Sequence, residues 1–215
     1  MPGINGIDLC KLVKTDRELM HILFILLTGS SGEEARLKGI ECGADDYINK
    51  PFEKELLLAR VNSILQNRNN LQQYFFNEIT HRPNTLKISR DDKEFIDLCI
   101  SIVEKNLGND TFNVKLLVTE IGMSHSNLYK RVKAVSGHSI NSFIRFIRLR
   151  KAAELLINTA TNVNEVAFQV GINDIKYFRQ QFFKLFQINP SGYIKKYRKV
   201  LSNSTYRFND ENNPK

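Results

Sequence analysis

The sequence predicts a mainly α-helical protein in which a short α/β segment precedes an all-α domain built from two tandem helix-turn-helix units. Three observations predict this division. Helix and strand patterns alternate only before residue 80, and one helical module occurs twice in succession over residues 114–199. The charges are also divided, because residues 1–80 carry 9 Lys and Arg against 11 Asp and Glu, whereas residues 81–215 carry 22 against 12.

The α/β segment is predicted over residues 1–79. Apolar residues at helical spacing indicate a helix over 6–20, and the uncharged run that ends at Thr28 indicates a strand buried on both faces, as in a parallel sheet. A second helix is predicted over 31–44, followed by a short strand in DDYINKPF, which ends in a Lys-Pro turn. A long helix over 53–79 completes the segment. Two strands alone make no stable parallel sheet, so the pattern predicts an incomplete one.

Residues 80–91 mix charges with a His-Arg-Pro-Asn stretch and lack apolar periodicity, which predicts a linker. The all-α domain is predicted over residues 92–200. The polar, Asn-rich tail over 201–215 is expected to be disordered. The predicted helices of the all-α domain cover 92–107, 114–121, 125–136, 139–158, 163–170, 174–186 and 191–200.

The two helical modules align residue by residue. Before their glycines, Gly122 and Gly171, equivalent apolar positions lie 49 residues apart, and after the glycines the offset is 50. The one-residue slip falls within the turn, where an insertion is tolerated most easily. Two short helices that meet at a Gly-containing turn, the second rich in Lys, Arg, Gln, Ser and Tyr, are typical of a helix-turn-helix that binds DNA.

Recognition helices are therefore predicted at 125–136 and 174–186. Their apolar positions must face the core, so the outward residues are those left to contact base edges. These candidates are Ser126, Tyr129, Lys130 and Lys133 in the first helix, and Ile175, Lys176, Arg179 and Gln180 in the second. Lys, Arg and Gln side chains hydrogen-bond to base edges, and Ile175 can touch a thymine methyl group.

The predicted bridging helix over 139–158 places the two modules at a spacing that suits duplex DNA. Its length of about 30 Å approaches the roughly 34 Å that separates successive major-groove faces. The run from Gly122 to Ala153 holds seven basic residues and no acidic one, which predicts a polyanionic partner. Contacts to backbone phosphates are assigned to Arg131, Arg145, Arg148 and Lys184, with solvated surface charge as the alternative. Helix capping is expected of Asn113, Ser124, Ser139 and Asn173, with donation to phosphates as the alternative.

Several function classes find no support in the residues. Three cysteines without a CxxC pair, in a sequence without a secretory signal pattern, favour reduced thiols and a cytoplasmic protein. The four histidines lack metal-ligand spacing, so no metal or other cofactor is expected. The longest apolar run, 22–27, is far too short to span a membrane. Clustered carboxylates and a nucleophile beside a base are not found, so the chain is not expected to be an enzyme.

The repeat region carries LLVTEIGMSHSNLYKRVKAVSG, then RLRKAAELL, VNEVAFQVGI and DIKYFRQQFFKLFQINPSGYIKKYR. With these motifs, residues 92–200 resemble the DNA-binding domain of the AraC/XylS family of transcription regulators. Two positions depart from the family pattern. Ile172 replaces the usual aromatic residue, and Gln187 replaces the usual glycine, which removes a favoured helix C-terminus. The resemblance implies a regulator that binds double-stranded DNA sequence-specifically.

The first segment carries MPGINGIDLCK, LLTGSS and GADDYINKPF, which resemble the last portion of a two-component receiver domain with its flavodoxin-like fold. The resemblance implies that Thr28 hydrogen-bonds to a phosphoryl group, that Lys50 pairs with it, and that Tyr47 reorients with phosphorylation. The family's acidic phosphoacceptor precedes the Met-Pro-Gly turn, where this chain begins. We therefore expect a fragment of a longer protein, with a natural truncation as the alternative. The resemblance allows an origin at the C-terminus of a hybrid sensor kinase.

Together the two resemblances predict a transcription regulator of a two-component phosphorelay whose partner is double-stranded DNA. RNA polymerase, a sensor kinase domain and a second copy of the chain are further candidate partners, and no membrane contact is expected. The alternative functions are a receiver-derived protein-interaction or phosphorelay module with vestigial DNA binding, and a DNA-processing enzyme such as a recombinase. The basic outward residues in both modules disfavour the first alternative, and the lack of catalytic residues disfavours the second.

Overall fold

The computed structural model of the chain describes residues 3–16, 19–29, 33–109 and 111–198. The predicted disordered tail over 201–215 lies outside the described residues. The elements in chain order are α1 (Gly6–Thr15), β1 (Ile25–Thr28), α2 (Glu33–Glu41), β2 (Asp46–Asn49), α3 (Lys54–Ile79), α4 (Arg90–Lys105), α5 (Val114–Ile121), α6 (His125–Ser136), α7 (Ile140–Asn158), α8 (Val163–Gln169) and α9 (Ile175–Phe186). A further helical segment covers 190–198. The predicted fold class, a partial α/β segment followed by an all-helical domain, is confirmed.

The α/β segment is a small unit around one pair of strands. β1 and β2 are parallel, with Ile25 opposite Asp46, as the sequence predicts. Lys14, buried on α1, donates to the Asp45 carboxylate at 2.6 Å and so ties the helix to the start of β2. The prediction that β1 is buried on both faces is wrong, because Leu27 is 39% exposed. In the described part of the chain the sheet has only two strands, and the face of β1 that carries Leu27 is partly open to solvent.

The long helix α3 contributes to the core of the all-α domain through its C-terminal end. Tyr74, Phe75 and Ile79 are buried in the same cluster as the residues of α4 to α9. The ring of Phe75 stacks on Phe143 of α7, with centroids 4.8 Å apart. The N-terminal half of α3, by contrast, leaves Leu65 half-exposed. The buried core of the all-α domain therefore begins ahead of the predicted linker over 80–91.

The two helix-turn-helix units, α5–α6 and α8–α9, share one core around the bridging helix α7. The apolar positions predicted to face inward on both recognition helices are buried. These are Leu128, Val132 and Val135 on α6, and Phe178, Phe182 and Leu185 on α9. They join Ile147 and Leu156 of α7 in a single cluster. Because the units share a core, the orientation of α6 relative to α9 is fixed by packing on α7.

Local capping explains where most of these helices begin and end. Asn113, Ser124 and Ser139 accept hydrogen bonds from the first turns of α5, α6 and α7, as expected. The capping role predicted for Asn173 is wrong, because α9 starts one residue later than predicted. Its cap is Asp174, whose carboxylate accepts from the Tyr177 amide at 2.9 Å.

The turn glycines adopt the left-handed conformation that ends a helix without steric cost. Gly122 and Gly171 have φ angles of 73° and 74°, which explains why both modules carry a glycine there. At the end of α9, Gln187 adopts the same left-handed region with φ 58°. The last turn of α9 therefore ends in the geometry usual for glycine although a side chain is present.

Candidate nucleic-acid interface

The first recognition helix, α6, presents its candidate reading residues beside a cleft. Ser126 is exposed, whereas Tyr129, Lys130 and Lys133 are half-buried. Tyr129 packs against the core cluster of the all-α domain. Lys130 lines a cavity of about 720 Å³ between α6, α3 and the α/β segment. The four predicted side chains thus share one helix, but they differ in how freely they reach solvent.

One flank of α6 is held by neighbouring helices. Gln72 of α3 donates to the Ala134 carbonyl at 3.4 Å. Arg131 donates to the Asp91 carbonyl at 2.6 Å, and its guanidinium lies 4.4 Å from the centroid of the Phe95 ring. Arg131 therefore joins α6 to α4 in this structure. The contact of Arg131 to a DNA phosphate stays a prediction. Such a contact requires the side chain either to keep its bonds to α4 while it binds the phosphate, or to leave them.

The second recognition helix, α9, presents a more open surface. Lys176, Arg179 and Gln180 are exposed, and Arg179 donates to Asn164 of α8 at 3.4 Å. Ile175 is half-buried and packs against the core cluster, so less of it is available to a base than expected. Phe183 was not among the residues predicted to contact bases, and its side chain is 51% exposed on this helix. The repeat indicates this position, because the 50-residue offset pairs Phe183 with Lys133, which is one of the predicted residues of α6.

Two arginines of α7 hold this bridging helix to the second unit. Arg145 donates to the Tyr177 hydroxyl at 2.9 Å and to the Ser142 hydroxyl at 3.0 Å. Arg148 donates to the Gly171 carbonyl at 2.7 Å and so holds the turn before α9. Lys184, on α9, is exposed. Of the four residues predicted to contact phosphates, three donate hydrogen bonds within the protein, and the fourth, Lys184, is exposed on the surface. The three are Arg131, Arg145 and Arg148.

Arg150 has a structural function that the sequence did not predict. Its guanidinium pairs with the Glu104 carboxylate at 2.6 Å and donates to the Glu78 carbonyl at 3.2 Å. It therefore links α7 to α4 and to the end of α3. A basic residue in this run is thus not by itself evidence of a DNA contact.

The charged side chains that act on His138 from α6 and α7 are positive. His138 lies edge-on to Phe146, with ring centroids 5.0 Å apart. Partial burial lowers the pKa of His138, and the positive charges of Lys133 and Arg145 lower it further. The imidazole is therefore mainly neutral at neutral pH. Lys and Arg side chains supply the positive potential of this surface.

The residues predicted as a phosphorylation switch lie at the end of the two-stranded sheet. The Lys50 amide donates to the Thr28 carbonyl at 2.5 Å, which brings the carboxyl ends of β1 and β2 together. Tyr47 is half-buried on β2 and Lys50 is exposed. The structure therefore places Thr28 beside Lys50, and the switch functions of all three residues stay predictions.

Among the described residues, the cysteines and the other possible metal ligands form no second candidate site. In the ranges that the structure describes, His, Cys, Asp and Glu side chains form no group able to hold a metal ion. Cys10, Cys42 and Cys99 are buried and free. Burial raises the pKa of the Cys99 thiol to about 12, so this thiol is protonated and unreactive. No helix within those ranges has the length and apolar character needed to cross a membrane.

Comparison with known protein families divides the chain in the same way. Residues 1–62 match the response regulator receiver domain, and residues 117–196 match a helix-turn-helix domain. Histidine kinase P4 of Formosa agariphila is 36% identical over 197 residues, which cover 92% of this chain and 14% of that protein. The phosphate regulon regulator PhoB of Pseudomonas aeruginosa is 41% identical over 66 residues, 31% of this chain and 29% of that protein. The chain thus spans less than a third of either relative.

Solved structures similar to this chain match about half of it. The C-terminal domain of the response regulator yesN from Fusobacterium nucleatum is 29% identical, with a TM-score of 0.40, and the match covers 47% of this chain and 98% of that one. The DNA-binding domain of AdpA in complex with a target DNA is 22% identical, with a TM-score of 0.42, over 52% of this chain and 96% of that one.

The two family matches coincide with the two parts of the fold. The receiver match covers the α/β segment and the start of α3, and the helix-turn-helix match covers both tandem units. Both matched families are regulatory domains and not enzymes. The chain therefore carries a helix-turn-helix domain preceded by a match to the response regulator receiver domain, which is the domain order that the two resemblances predict.

Proposed function

We propose that this chain binds double-stranded DNA sequence-specifically by placing α6 and α9 in successive major grooves, and that it regulates transcription as the output end of a two-component phosphorelay. The observation that supports this most is the repeat itself. Two recognition helices of 12 residues each are packed on one bridging helix and share one buried core. A rigid pair of this kind can present both helices to one duplex.

The bridging helix sets the separation of the two units. α7 has 19 residues, which corresponds to about 28 Å. Successive major-groove faces of B-DNA are about 34 Å apart. The remaining distance is smaller than the diameter of a helix with its side chains, about 10–12 Å. One chain can therefore supply both contacts without a second copy.

We assign base contacts to the side chains that the two recognition helices direct outward. On α6 these are Ser126, Tyr129, Lys130 and Lys133, and on α9 they are Lys176, Arg179 and Gln180, with Ile175 at the edge of the surface. Lys184 serves as a phosphate contact, because it is exposed beside this surface. Arg131, Arg145 and Arg148 contribute positive potential from the positions where they hold the helices together.

The proposal extends to domain limits and partners. We divide the chain into a partial receiver over 1–79, a linker over 80–91 and a DNA-binding domain over 92–200, with the end of α3 completing the core of the last. Thr28, Tyr47 and Lys50 are proposed to be the receiver's switch residues. A relative named as a histidine kinase covers 92% of this chain, which supports a sensor kinase domain as a partner. RNA polymerase and a second copy of the chain remain proposed partners.

Selection from a random duplex library tests the proposal. The chain should enrich a defined sequence, and its affinity for that duplex should fall steeply between 50 and 200 mM salt, by about 10³-fold or more if six phosphates are contacted. A scrambled duplex of equal length is the control, and it should bind more weakly at every salt concentration. Failure to enrich any sequence, or an affinity that does not change with salt, would contradict the proposal.

A further inference from the structure

We propose that Phe183 is a specificity-determining residue that contacts the 5-methyl group of one thymine in the major groove. This inference rests on the proposed function, since it names the base chemistry that one position of α9 recognises. Phe183 was not among the residues predicted to contact bases. Its assignment depends on the internal repeat, on its exposure and on the chemistry of the groove.

The repeat places Phe183 in the reading surface. α6 covers His125–Ser136 and α9 covers Ile175–Phe186, so an offset of 50 residues superimposes the two helices from end to end. This offset pairs Ser126 with Lys176, Tyr129 with Arg179, Lys130 with Gln180 and Lys133 with Phe183. Three of the four positions assigned to α6 thus have partners among those assigned to α9. Phe183 is the fourth, and Ile175 is equivalent to His125 instead.

Helix geometry leads to the same placement. Phe183 follows Arg179 by four residues and Lys176 by seven, so the three side chains lie on one face of α9. Phe178 and Phe182 face the core instead and are fully buried. The aromatic cluster that α9 forms with Tyr193 uses Phe178, Phe182 and Phe186. Phe183 instead leaves 51% of its surface open to solvent, on the face of α9 that carries Lys176 and Arg179.

The chemistry of the major groove identifies the group that such a ring would contact. A phenyl ring has neither a hydrogen-bond donor nor an acceptor. Among the four standard base-pair edges, thymine alone presents a methyl group in the major groove, and the other groups that distinguish bases are donors and acceptors. A contact between Phe183 and this methyl group removes apolar surface of both from water. The two half-sites should therefore differ at this position, because Lys133 can donate to guanine where Phe183 contacts thymine.

The test removes only the methyl group from the DNA. The full chain is used to select its preferred duplex, and each thymine in that duplex is then replaced in turn by deoxyuridine. One replacement should weaken binding of the unchanged protein about fourfold, as expected for one methyl-sized group. In Phe183→Ala the same replacement should cause no further loss. Phe168→Ala serves as the matched control, because Phe168 is 54% exposed on α8, outside the reading surface, and this variant should keep the fourfold penalty.

A second substitution at Phe183 tests whether this position determines which base is preferred. Phe183→Lys reproduces the residue found at the equivalent position of α6, so its preference at the contacted base pair should change from thymine to guanine. Because Phe183 lies outside the core, both variants should keep the helical circular dichroism of the unchanged protein. Specific binding in which no uracil penalty depends on Phe183 would overturn this inference and leave the proposed function standing. Binding without any sequence preference would overturn both.

Discussion

Arg131 and Arg179 show that basic side chains on the two recognition helices have different surroundings. Arg131 lies on the flank of α6, donates to the Asp91 carbonyl and covers the Phe95 ring. Arg179 lies on the open face of α9 and makes one long hydrogen bond, 3.4 Å, to Asn164. We therefore expect substitution of Arg131 to affect stability, and substitution of Arg179 to affect DNA binding.

The stability of the Arg131 variant can be predicted from these contacts. Arg131→Ala removes a charge-assisted hydrogen bond and a cation–π contact, so the free energy of unfolding should fall by about 1–2 kcal/mol. Urea unfolding followed by circular dichroism measures this change. Arg90→Ala is the control, because Arg90 is almost fully exposed and pairs with Glu94 of its own helix. Loss of such an exposed pair should cost at most about 0.5 kcal/mol. Equal losses in the two variants would contradict a structural function for Arg131.

Residue positions could be predicted from the sequence where helical periodicity alone decides them. Leu128 and Phe178 were predicted to face the core, and both are buried. The partner of Arg131 could not be predicted, because the Asp91 carbonyl lies 40 positions away and helical periodicity gives only contacts within one helix. The predicted cap of α9 was wrong by one residue. Asn and Asp are equally good caps, so only the start of the helix distinguishes Asn173 from Asp174.

At the scale of the elements, α3 connects the two parts of the chain. Its first turns follow the receiver strands, and its last turns carry Tyr74, Phe75 and Ile79 into the core of the DNA-binding domain. Arg150 then fixes the end of α3 by donating to the Glu78 carbonyl. α3 therefore belongs both to the segment that carries the receiver strands and, through its contacts with α6 and α7, to the core of the DNA-binding domain.

Substitution along α3 should separate its two halves. Phe75→Ala removes a buried ring that stacks on Phe143, so the free energy of unfolding of the DNA-binding domain should fall by about 3–5 kcal/mol. The control on the same helix is Leu65→Ala, where the side chain is half-exposed and the change should stay within about 0.5 kcal/mol. Urea unfolding of both variants measures the difference. A small effect of Phe75→Ala would show that α3 does not belong to this core.

Most helices of the DNA-binding domain could be located from the sequence. The predicted limits of α5 and α6 coincide with those observed, because Asn113, Ser124 and two glycines mark their ends. The packing of α3 could not be predicted. An apolar stripe shows that a helix has a buried side, but the stripe is the same whichever neighbour covers it.

At the scale of the whole molecule, positive charge and the repeat occur in the same part of the chain. Residues 81–215 hold 22 Lys and Arg against 12 Asp and Glu, whereas residues 1–80 hold 9 against 11. The fold class followed from this division and from the alternation of helix and strand. The way the two parts meet did not, because α3 contacts α6 and α7 through single side chains such as Gln72 and Phe75, and no local pattern distinguishes these side chains from others on the helix.

Methylation protection at guanine N7 in the selected duplex measures whether α6 and α9 occupy successive major grooves of one duplex. We expect two protected patches on one face of the DNA, centred about 10–10.5 base pairs apart. Arg179→Ala should abolish protection in one patch at a cost of about 1–3 kcal/mol in binding, and Lys130→Ala should do so in the other. A single protected patch, or loss of both patches in Arg179→Ala, would show that the two helices do not occupy successive grooves.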